Sequence, residues 1–294
     1  MLPKHRSDNG KLRAPRYIQL ETTTLCNASC SFCPQGAKSR SAAIMEEQVW
    51  KKIIDDTRGI GVTYRPFLLN EPFTDRRMPE IVSYIHRDTS AKVEFNTNGS
   101  LLSPSTARWL ANSGISVIRF SLDGFTEETL KATRGLSRDQ CYGGILDYIE
   151  QNRYSAQPAK VEVRMINMPG NMHEHRLFRE FWEPKVDLVE FTTLYRFPWT
   201  GQVQSLAAPC PKITEEMFFR WDGFAVLCCW DAAGRAKAGS VRERSVLEIW
   251  NGDELKGYRK TLDRGDRSSI ELCSRCDAYP DLQVISSRLH RVES

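Results

Sequence analysis

The chain has no long apolar run, little excess charge and only five histidines among its 294 residues. Because no stretch approaches the length of a membrane span, a transmembrane protein is excluded. Forty-one Lys and Arg residues stand against thirty-seven Asp and Glu, and the net charge of +4 nominates neither a nucleic-acid nor a membrane partner. The first sixteen residues are basic and polar and lack the apolar core of a secretory signal. We therefore expect a cytoplasmic protein.

Cysteine is the residue type that the chain has in excess. Nine are present, and an odd number in a long chain without a signal indicates thiols kept reduced for metal binding or catalysis. They form two groups and a singleton: Cys26, Cys30 and Cys33; then Cys210, Cys228, Cys229, Cys273 and Cys276; and Cys141 alone. A lone cysteine in a helix such as Cys141 is most often a small buried apolar residue.

Short apolar runs alternate with amphipathic segments from Tyr17 to about Thr193, which is typical of parallel strands joined by helices. Six strands are too few to close an eight-stranded barrel, so we expect an α/β fold with a partial (β/α)6 barrel and its site at the carboxyl ends of the strands. The predicted strands are Tyr17–Glu21, Arg65–Leu69, Lys92–Asn96, Val117–Leu122, Val161–Ile166 and Leu188–Thr192. The predicted helices are Glu46–Arg58, Met78–His86, Ser105–Ser113, Glu127–Thr133, Tyr142–Gln151 and His173–Trp182.

The last third of the chain has a different rhythm. A turn at Asp222-Gly223 predicts two short strands within Phe218–Leu227, and one amphipathic helix is expected over Val246–Leu262. Because this part is short for a core of its own, a metal staple would explain its cysteines. The predicted organisation is an arm (1–16), the barrel (17–194), a connector (195–209), a small metal-binding domain (210–280) and a tail (281–294).

The first cysteine group occupies the loop that leaves the first predicted strand. Three thiolates can hold three irons of a [4Fe–4S] cube, which leaves one iron open to a ligand from outside the protein. The alternative is a zinc site completed by His86 or His5, neither of which is close in sequence.

The spacing C-x-x-x-C-x-aromatic-C, with Phe32 as the aromatic residue, resembles the signature of the radical S-adenosylmethionine (SAM) superfamily. The resemblance implies a radical SAM barrel in which the open iron binds SAM and the reduced cluster cleaves it to a 5′-deoxyadenosyl radical. Asn70-Glu71-Pro72 resembles the segment that receives the methionine amino group, although both of its glycines are replaced. Segments with Asn98, with Ser121 and Asp123, and with Arg134 resemble those that line the SAM pocket and bind its carboxylate.

The second cysteine group can hold either a fully ligated [4Fe–4S] cluster or a zinc ion, and spacing alone does not separate these. The run from Cys210 to Cys276 resembles the Twitch or SPASM extension of radical SAM enzymes, a small C-terminal domain with one auxiliary [4Fe–4S] cluster. The resemblance implies Cys210, Cys228, Cys273 and Cys276 as its ligands. Either Cys228 or Cys229 fits by position, and the family pattern favours Cys228.

The remaining thiol, Cys229, is either a core residue or a hydrogen donor. As a donor it would quench a substrate radical from the opposite face, and the outcome would be epimerisation of a carbinol carbon. Loss of a proton and transfer of an electron to the auxiliary cluster would instead give a ketone, and the enzyme would be a dehydrogenase. Only the first reaction requires a free thiol.

The resemblance implies a sugar or aminocyclitol of an antibiotic pathway as substrate, with a peptide as the alternative. We expect a small molecule, because only sixteen residues precede the barrel and eighteen follow Cys276. Candidate substrate contacts are Glu190, Tyr195, Arg196 and Trp199, with interdomain packing as the alternative role. A flavodoxin or ferredoxin would supply electrons. The alternative from a different functional class is a non-catalytic, metal-stapled binding protein whose first cluster senses iron or oxygen.

Overall fold

A nine-stranded sheet organises the part of the chain that the structure, a computed structural model, describes: residues 14–33, 41–194, 209–276 and 278. In these ranges the strands are β1 (Tyr17–Leu20), β2 (Thr63–Arg65), β3 (Lys92–Thr97), β4 (Val117–Ser121), β5 (Lys160–Asn167), β6 (Leu188–Thr193), β7 (Glu216–Phe219), β8 (Phe224–Val226) and β9 (Lys237–Ser240). The order across the sheet is β6-β5-β4-β3-β2-β1-β7-β8-β9. All strand pairs from β6 across to β7 are parallel, whereas the β7–β8 and β8–β9 pairs are antiparallel. The predicted α/β fold with its parallel sheet is confirmed.

The helices of the same ranges connect the parallel strands and then cover the last three strands. They are α1 (Glu47–Asp55), α2 (Met78–Ile85), α3 (Pro104–Ala111), α4 (Glu127–Arg134), α5 (Arg138–Arg153), α6 (His175–Trp182), α7 (Lys212–Glu215), α8 (Val246–Trp250) and α9 (Asp253–Asp263). Two single 3-10 turns, Pro72–Thr74 and Met172–Glu174, follow β2 and β5. No described helix has the length and apolarity of a membrane span.

Each parallel strand turns alternate residues toward the helices and toward the inside of the sheet. In β5, Val161, Val163 and Met165 belong to the apolar core, while Glu162 and Arg164 lie on the opposite face. Strands β3 and β4 alternate in the same way, whereas β7 places both Glu216 and the buried Phe218 on the inner face. The inside of the partial barrel is therefore mainly polar, and the apolar core lies between the sheet and its helices.

Three predicted elements differ from the structure. The second strand is Thr63–Arg65 and not Arg65–Leu69, because Pro66 has no N–H with which to continue the ladder. The helix predicted over Val246–Leu262 is two helices, α8 and α9, since Gly252 adopts an extended conformation (φ −73°, ψ 163°) and caps the second. The helix predicted at Tyr142 begins earlier, at Arg138.

The C-terminal third is continuous with the barrel sheet. Strand β7 pairs in parallel with β1, with Gln19 opposite Phe218 and Leu20 opposite Phe219. Met217 and Phe219 join the same apolar core as Ile18 and Leu20. This pairing brings the start of the predicted metal-binding domain against the strand that leads into the first cysteine group.

Candidate active site

The first cysteine group lies on the loop after β1, at the carboxyl ends of the parallel strands. Backbone bonds from Ser29 N to Arg134 O and from Ser31 N to Thr133 O, both 2.9 Å, fasten the loop to the last turn of α4. On its other side, Leu25 O accepts from Glu71 N at 3.1 Å. The loop is thus held between the segments that follow β2 and β4.

The three thiols of this group are half-buried and influence one another electrostatically. Burial raises the pKa of Cys26 to about 12, and it also raises the pKa of Cys30. Such thiols stay protonated until a cation replaces the proton, which is the behaviour of cysteines that bind a metal cluster. His86 lies far from them along the fold, beside Gly114 and next to the amino ends of the strands.

Glu71 is a buried carboxylate directly beneath the cysteine loop. Its Oε1 accepts from Thr97 Oγ1 at 2.6 Å, and its Oε2 accepts from Asn98 N at 2.9 Å. Burial raises its pKa to about 7. The carboxylate therefore links the ends of β2 and β3 and can gain or lose a proton near neutral pH.

Asn98 and Asn70 shape the loops around Glu71. Asn98 Nδ2 donates to Asn27 Oδ1 in the cysteine loop at 2.9 Å, and Asn98 Oδ1 accepts from the backbone N–H and the hydroxyl of Ser100. Asn70 Oδ1 accepts from Leu68 N at 2.9 Å, while its buried Nδ2 has no hydrogen-bond partner. That amide is a donor available to a ligand.

Asp123 and Arg134 form a buried ion pair on the β4 side of the cysteine loop. Arg134 Nη2 lies 2.6 Å from Asp123 Oδ2, and Arg134 Nη1 lies 3.7 Å from Cys30 Sγ. The guanidinium also stands 5.7 Å from the centroid of the Phe32 ring. Ser121, at the end of β4, is opposite Arg164 in the sheet. The structure thus brings Phe32, Asp123 and Arg134 to one cation-centred cluster.

An open pocket of about 540 Å³ adjoins this region. One cysteine-loop residue, Ser31, lines it together with α4 and the segment after β5. The buried Glu174 in its wall accepts from Phe125 N at 2.6 Å and so fixes the start of α4. The full lining is Ser31, Thr126, Glu128, Thr129, Ala132, Thr133, Met168, Gly170, His173 and Glu174.

Charged side chains fill the inside of the partial barrel in a set that we call the interior charge belt. Three of its five ion pairs join neighbouring strands, because residues directly opposite in a parallel ladder share a face. The Arg65–Glu216 pair reaches across β1, and the Lys212–Glu216 pair joins α7 to the start of β7. Arg65 pairs with Glu94 at 2.9 Å and with Glu216 at 3.4 Å, and Glu216 pairs with Lys212 at 3.1 Å. The belt comprises Arg65, Glu94, Arg119, Glu162, Arg164, Glu190, Lys212 and Glu216.

One predicted substrate contact, Glu190, belongs to this belt. Its Oε2 lies 2.7 Å from Arg164 Nη2, and Arg164 is the more exposed partner, with 31% of its side chain accessible. The other predicted contacts, Tyr195, Arg196 and Trp199, lie outside the described residues.

The second cysteine group meets at one small cavity. Cys210, Cys228, Cys273 and Cys276 all line it, together with apolar side chains that include Leu227, Trp230 and Leu272. Burial raises the pKa of Cys273 to about 12. Backbone N–H groups support the sulfurs, with Trp230 N 3.5 Å from Cys228 Sγ. Four cysteines around a mainly apolar cavity are a donor set that fits a [4Fe–4S] cluster.

The Cys229 thiol is hydrogen-bonded to the thiol of Cys228, but its other surroundings differ. It is not among the residues that line the four-cysteine cavity, and the charges that act on it are those of Lys212 and Glu216. The charges that act on Cys228 include Cys210. The Cys229 thiol therefore lies beside the Cys228 thiol and near the Lys212–Glu216 pair of the interior charge belt. Cys141 is fully buried in α5, as an ordinary core residue.

Two features of the site were not predicted from the sequence. The first is the interior charge belt, whose signal is the placement of Glu and Arg at alternate positions of otherwise apolar strands, as in Val161-Glu162-Val163-Arg164. The second is Arg267, a buried cation at the wall of the four-cysteine cavity, for which the sequence carries no local signal. No three or more His, Cys, Asp or Glu side chains within the described ranges form a group suited to a single metal ion.

A parallel partial barrel with three cysteines at its carboxyl edge and four more around a second cavity defines an iron–sulfur enzyme. The chain belongs to the radical SAM superfamily, whose family model matches residues 20–179. Residues 210–277 match SPASM, described as an iron-sulfur cluster-binding domain. The cofactors are thus SAM and a [4Fe–4S] cluster, with further cluster binding in the SPASM region.

Two similar proteins have names that describe different activities. The chain is 25% identical to the Fe-coproporphyrin III synthase of Methanosarcina barkeri (strain Fusaro / DSM 804), over 94% of this chain and 84% of that protein. It is 32% identical to the mycofactocin maturase MftC of Mycolicibacterium smegmatis (strain ATCC 700084 / mc(2)155), over 42% of this chain and 31% of that protein.

Two solved structures have the same fold. BtrN in complex with AdoMet and 2-DOIA has a TM-score of 0.66 at 16% identity and covers 90% of this chain and 94% of its own. Native anSMEcpe with bound AdoMet has a TM-score of 0.64 at 12% identity, with 88% of each chain covered.

Proposed function

We propose that this radical SAM enzyme abstracts a carbinol hydrogen from a sugar or aminocyclitol and epimerises the carbon, with Cys229 as the hydrogen donor. The interior charge belt carries the proposal. Hydroxyl and amino groups can exchange hydrogen bonds with the accessible parts of the belt's Arg and Glu side chains, such as Arg164 with 31% of its side chain exposed, whereas an apolar substrate would remove them from water without replacing those hydrogen bonds. Arg164 and Glu190 are the belt residues that we expect to contact the substrate, together with Tyr195, Arg196 and Trp199.

The SAM site in this proposal surrounds the cysteine loop. Cys26, Cys30 and Cys33 bind three irons, Glu71 accepts from the SAM amino group, and Arg134 binds its carboxylate. Asn70, Asn98, Ser121 and Asp123 shape the pocket, and Phe32 covers one wall. When bound, the cluster and SAM supply a 5′-deoxyadenosyl radical that removes a hydrogen atom from the substrate.

Cys229 then completes the reaction. Its S–H bond breaks and a new C–H bond forms on the opposite face of the substrate carbon, which inverts that centre. The sulfur is left as a thiyl radical, and one electron and one proton restore the thiol. The electron would come from a flavodoxin or ferredoxin through the auxiliary cluster on Cys210, Cys228, Cys273 and Cys276. The proximity of Cys229 to Lys212 and Glu216 supports this role, since both belong to the belt.

A dehydrogenase is the second candidate. Lys212 lines the four-cysteine cavity and also pairs with Glu216 of the belt, so the cavity adjoins the inside of the barrel. A substrate radical that lost a proton could pass its electron to a cluster there and leave as a ketone. In that reaction Cys229 has no part.

The discriminating experiment is turnover in deuterium oxide with reconstituted enzyme. Release of 5′-deoxyadenosine above the substrate-free rate would first select a substrate from a panel of amino sugars and aminocyclitols. We then expect solvent deuterium at the inverted carbon, and a Cys229→Ala variant that cleaves SAM but does not invert. Cys141→Ala is the matched control and should behave as wild type. A ketone product with unaltered activity of Cys229→Ala would establish the dehydrogenase, and turnover of peptides alone would overturn both.

A further inference from the structure

Arg267 is a buried cation beside the second cysteine group. Only 2% of the residue is exposed, and its side chain lines the four-cysteine cavity. Its Nη1 lies 3.8 Å from Cys276 Sγ, within reach of an N–H to sulfur hydrogen bond. Its charge also acts on Cys210 and Cys273. The guanidinium thus contacts Cys276 and lines the cavity that all four cysteines share.

Two backbone carbonyls hold this guanidinium in place. Nη1 donates to Ala278 O at 2.7 Å, and Nη2 donates to Pro209 O at 3.1 Å. Pro209 precedes Cys210, and Ala278 lies two residues after Cys276. Because its acceptors flank the first and last cysteines of the group, the side chain cannot swing away without releasing both chain segments.

We propose that Arg267 is a positioning residue that raises the reduction potential of the auxiliary cluster. The inference rests on the part of the proposed function that makes the four cysteines cluster ligands, and not on the reaction assigned to the substrate. Reduction adds one negative charge to a cluster. A fixed cation and an N–H donor to a ligand sulfur stabilise the reduced form, and a mainly apolar wall screens that interaction weakly.

Arg134 is the corresponding residue in the first cysteine group. It donates to Cys30 Sγ at 3.7 Å and is paired with Asp123 at 2.6 Å. Arg267 makes the matching contact with Cys276 Sγ and also donates to two backbone carbonyls. Each cysteine group therefore has one buried guanidinium within reach of an N–H to sulfur hydrogen bond.

The test is an EPR-monitored redox titration of full-length protein in which Cys26, Cys30 and Cys33 are replaced by Ala. This parent isolates the signal of the auxiliary cluster, and it should hold about four irons. A parent without iron would overturn the ligand assignment and the inference with it. In this background we compare Arg267→Met, Arg267→Lys and Arg259→Met. Arg259 is a matched control because it is also buried and bonds the carbonyls of Ile213 and Trp250.

We expect Arg267→Met to lower the midpoint potential at unchanged iron content, Arg267→Lys to lower it less, and Arg259→Met to leave it unaltered. Equal potentials for the parent and an iron-replete Arg267→Met variant would overturn the inference. If Arg267→Met binds no iron, the potential of Arg267→Lys is compared with that of the parent instead. The Lys side chain keeps the positive charge but lacks the several N–H donors of the guanidinium. An unchanged potential in the iron-replete Lys variant would then refute the role of the N–H to sulfur bond.

Discussion

Arg134 and Asp123 form a buried ion pair, with 2.6 Å between Nη2 and Oδ2, at the junction of the cysteine loop with the barrel. Asp123 also accepts from Ile166 N at 2.7 Å, and the backbone carbonyl of Arg134 accepts from Ser29 N at 2.9 Å. One pair therefore joins the ends of β4 and β5 to the loop that carries Cys26, Cys30 and Cys33. The position of the first cluster should depend on it.

Asp123→Asn is expected to destabilise the protein and weaken SAM binding. The substitution leaves the buried guanidinium of Arg134 without its anion, which costs about 3–5 kcal/mol of unfolding free energy. Denaturant titration of anaerobic protein and equilibrium dialysis with SAM measure the two effects. The control is Asp139→Asn, since the Asp139 side chain is 95% exposed and 3.8 Å from Arg138. A loss as small as that of the control, about 0.5 kcal/mol or less, would contradict a structural role for Asp123.

Gly135→Ala tests the close contact between the end of α4 and the cysteine loop. Gly135 has φ +67°, and an added Cβ would lie 2.0 Å from Ser29 Oγ. The Ser29 hydroxyl must then move, and because Ser29 Cβ also lies only 3.3 Å from the added atom, we expect the loop to be displaced and the iron of the first cluster to fall while the iron of the auxiliary cluster is retained. Gly59→Ala separates backbone strain from the steric clash, because Gly59 has φ +78° and no atom within 4 Å of an added Cβ. Equal iron contents in both variants would show that the contact with Ser29 is dispensable.

The sequence was sufficient for the parts of the molecule that depend on local pattern. The strand and helix alternation from Tyr17 to Thr193 and the cysteine spacing on the first loop both appear in the structure. The parallel pairing of β7 with β1 was not predictable, because it joins residues about 200 positions apart and each strand has only four residues. Short strands carry little periodicity, so their partners are decided by tertiary packing.

The site was predictable to a similar degree. Glu71, Asn98 and Asp123 could be located because each follows a strand, and carboxyl ends of parallel strands meet at one edge. The ion pair between Arg134 and Asp123 could not, since it depends on where α4 ends. Arg267 is the clearest omission, because its contacts to Pro209 and Ala278 form only when the last third of the chain closes around the cysteines.

Glu71 should make SAM binding depend on pH. Burial raises its pKa to about 7, so the carboxylate is mostly protonated at pH 6 and mostly ionised at pH 8. If the ionised form accepts from the SAM amino group, the affinity should rise about tenfold from pH 6 to pH 8, in proportion to the ionised fraction. Glu71→Gln should bind more weakly and lack this rise.

Equilibrium dialysis of both proteins across this pH range isolates the effect, because the ratio of their affinities cancels the titration of SAM itself. The sign is fixed by the direction of the pKa shift. A raised carboxyl pKa favours the protonated form at low pH, so affinity must increase as pH rises. A constant ratio between pH 6 and pH 8 would mean that Glu71 does not contact the amino group in its ionised form.

Replacing either of the adjacent cysteines Cys228 and Cys229 should have different effects on the iron content. Cys228 lines the cavity with Cys210, Cys273 and Cys276, whereas Cys229, whose thiol is hydrogen-bonded to that of Cys228, does not line it. Cys228→Ala should therefore lower the iron content from about eight toward about four per chain, and Cys229→Ala should leave it near eight. Both variants remove one sulfur from the same half-buried turn, so each serves as the packing control of the other. The opposite pattern would make Cys229 the ligand and remove it as a hydrogen donor, since a sulfur bound to iron has no S–H bond to give.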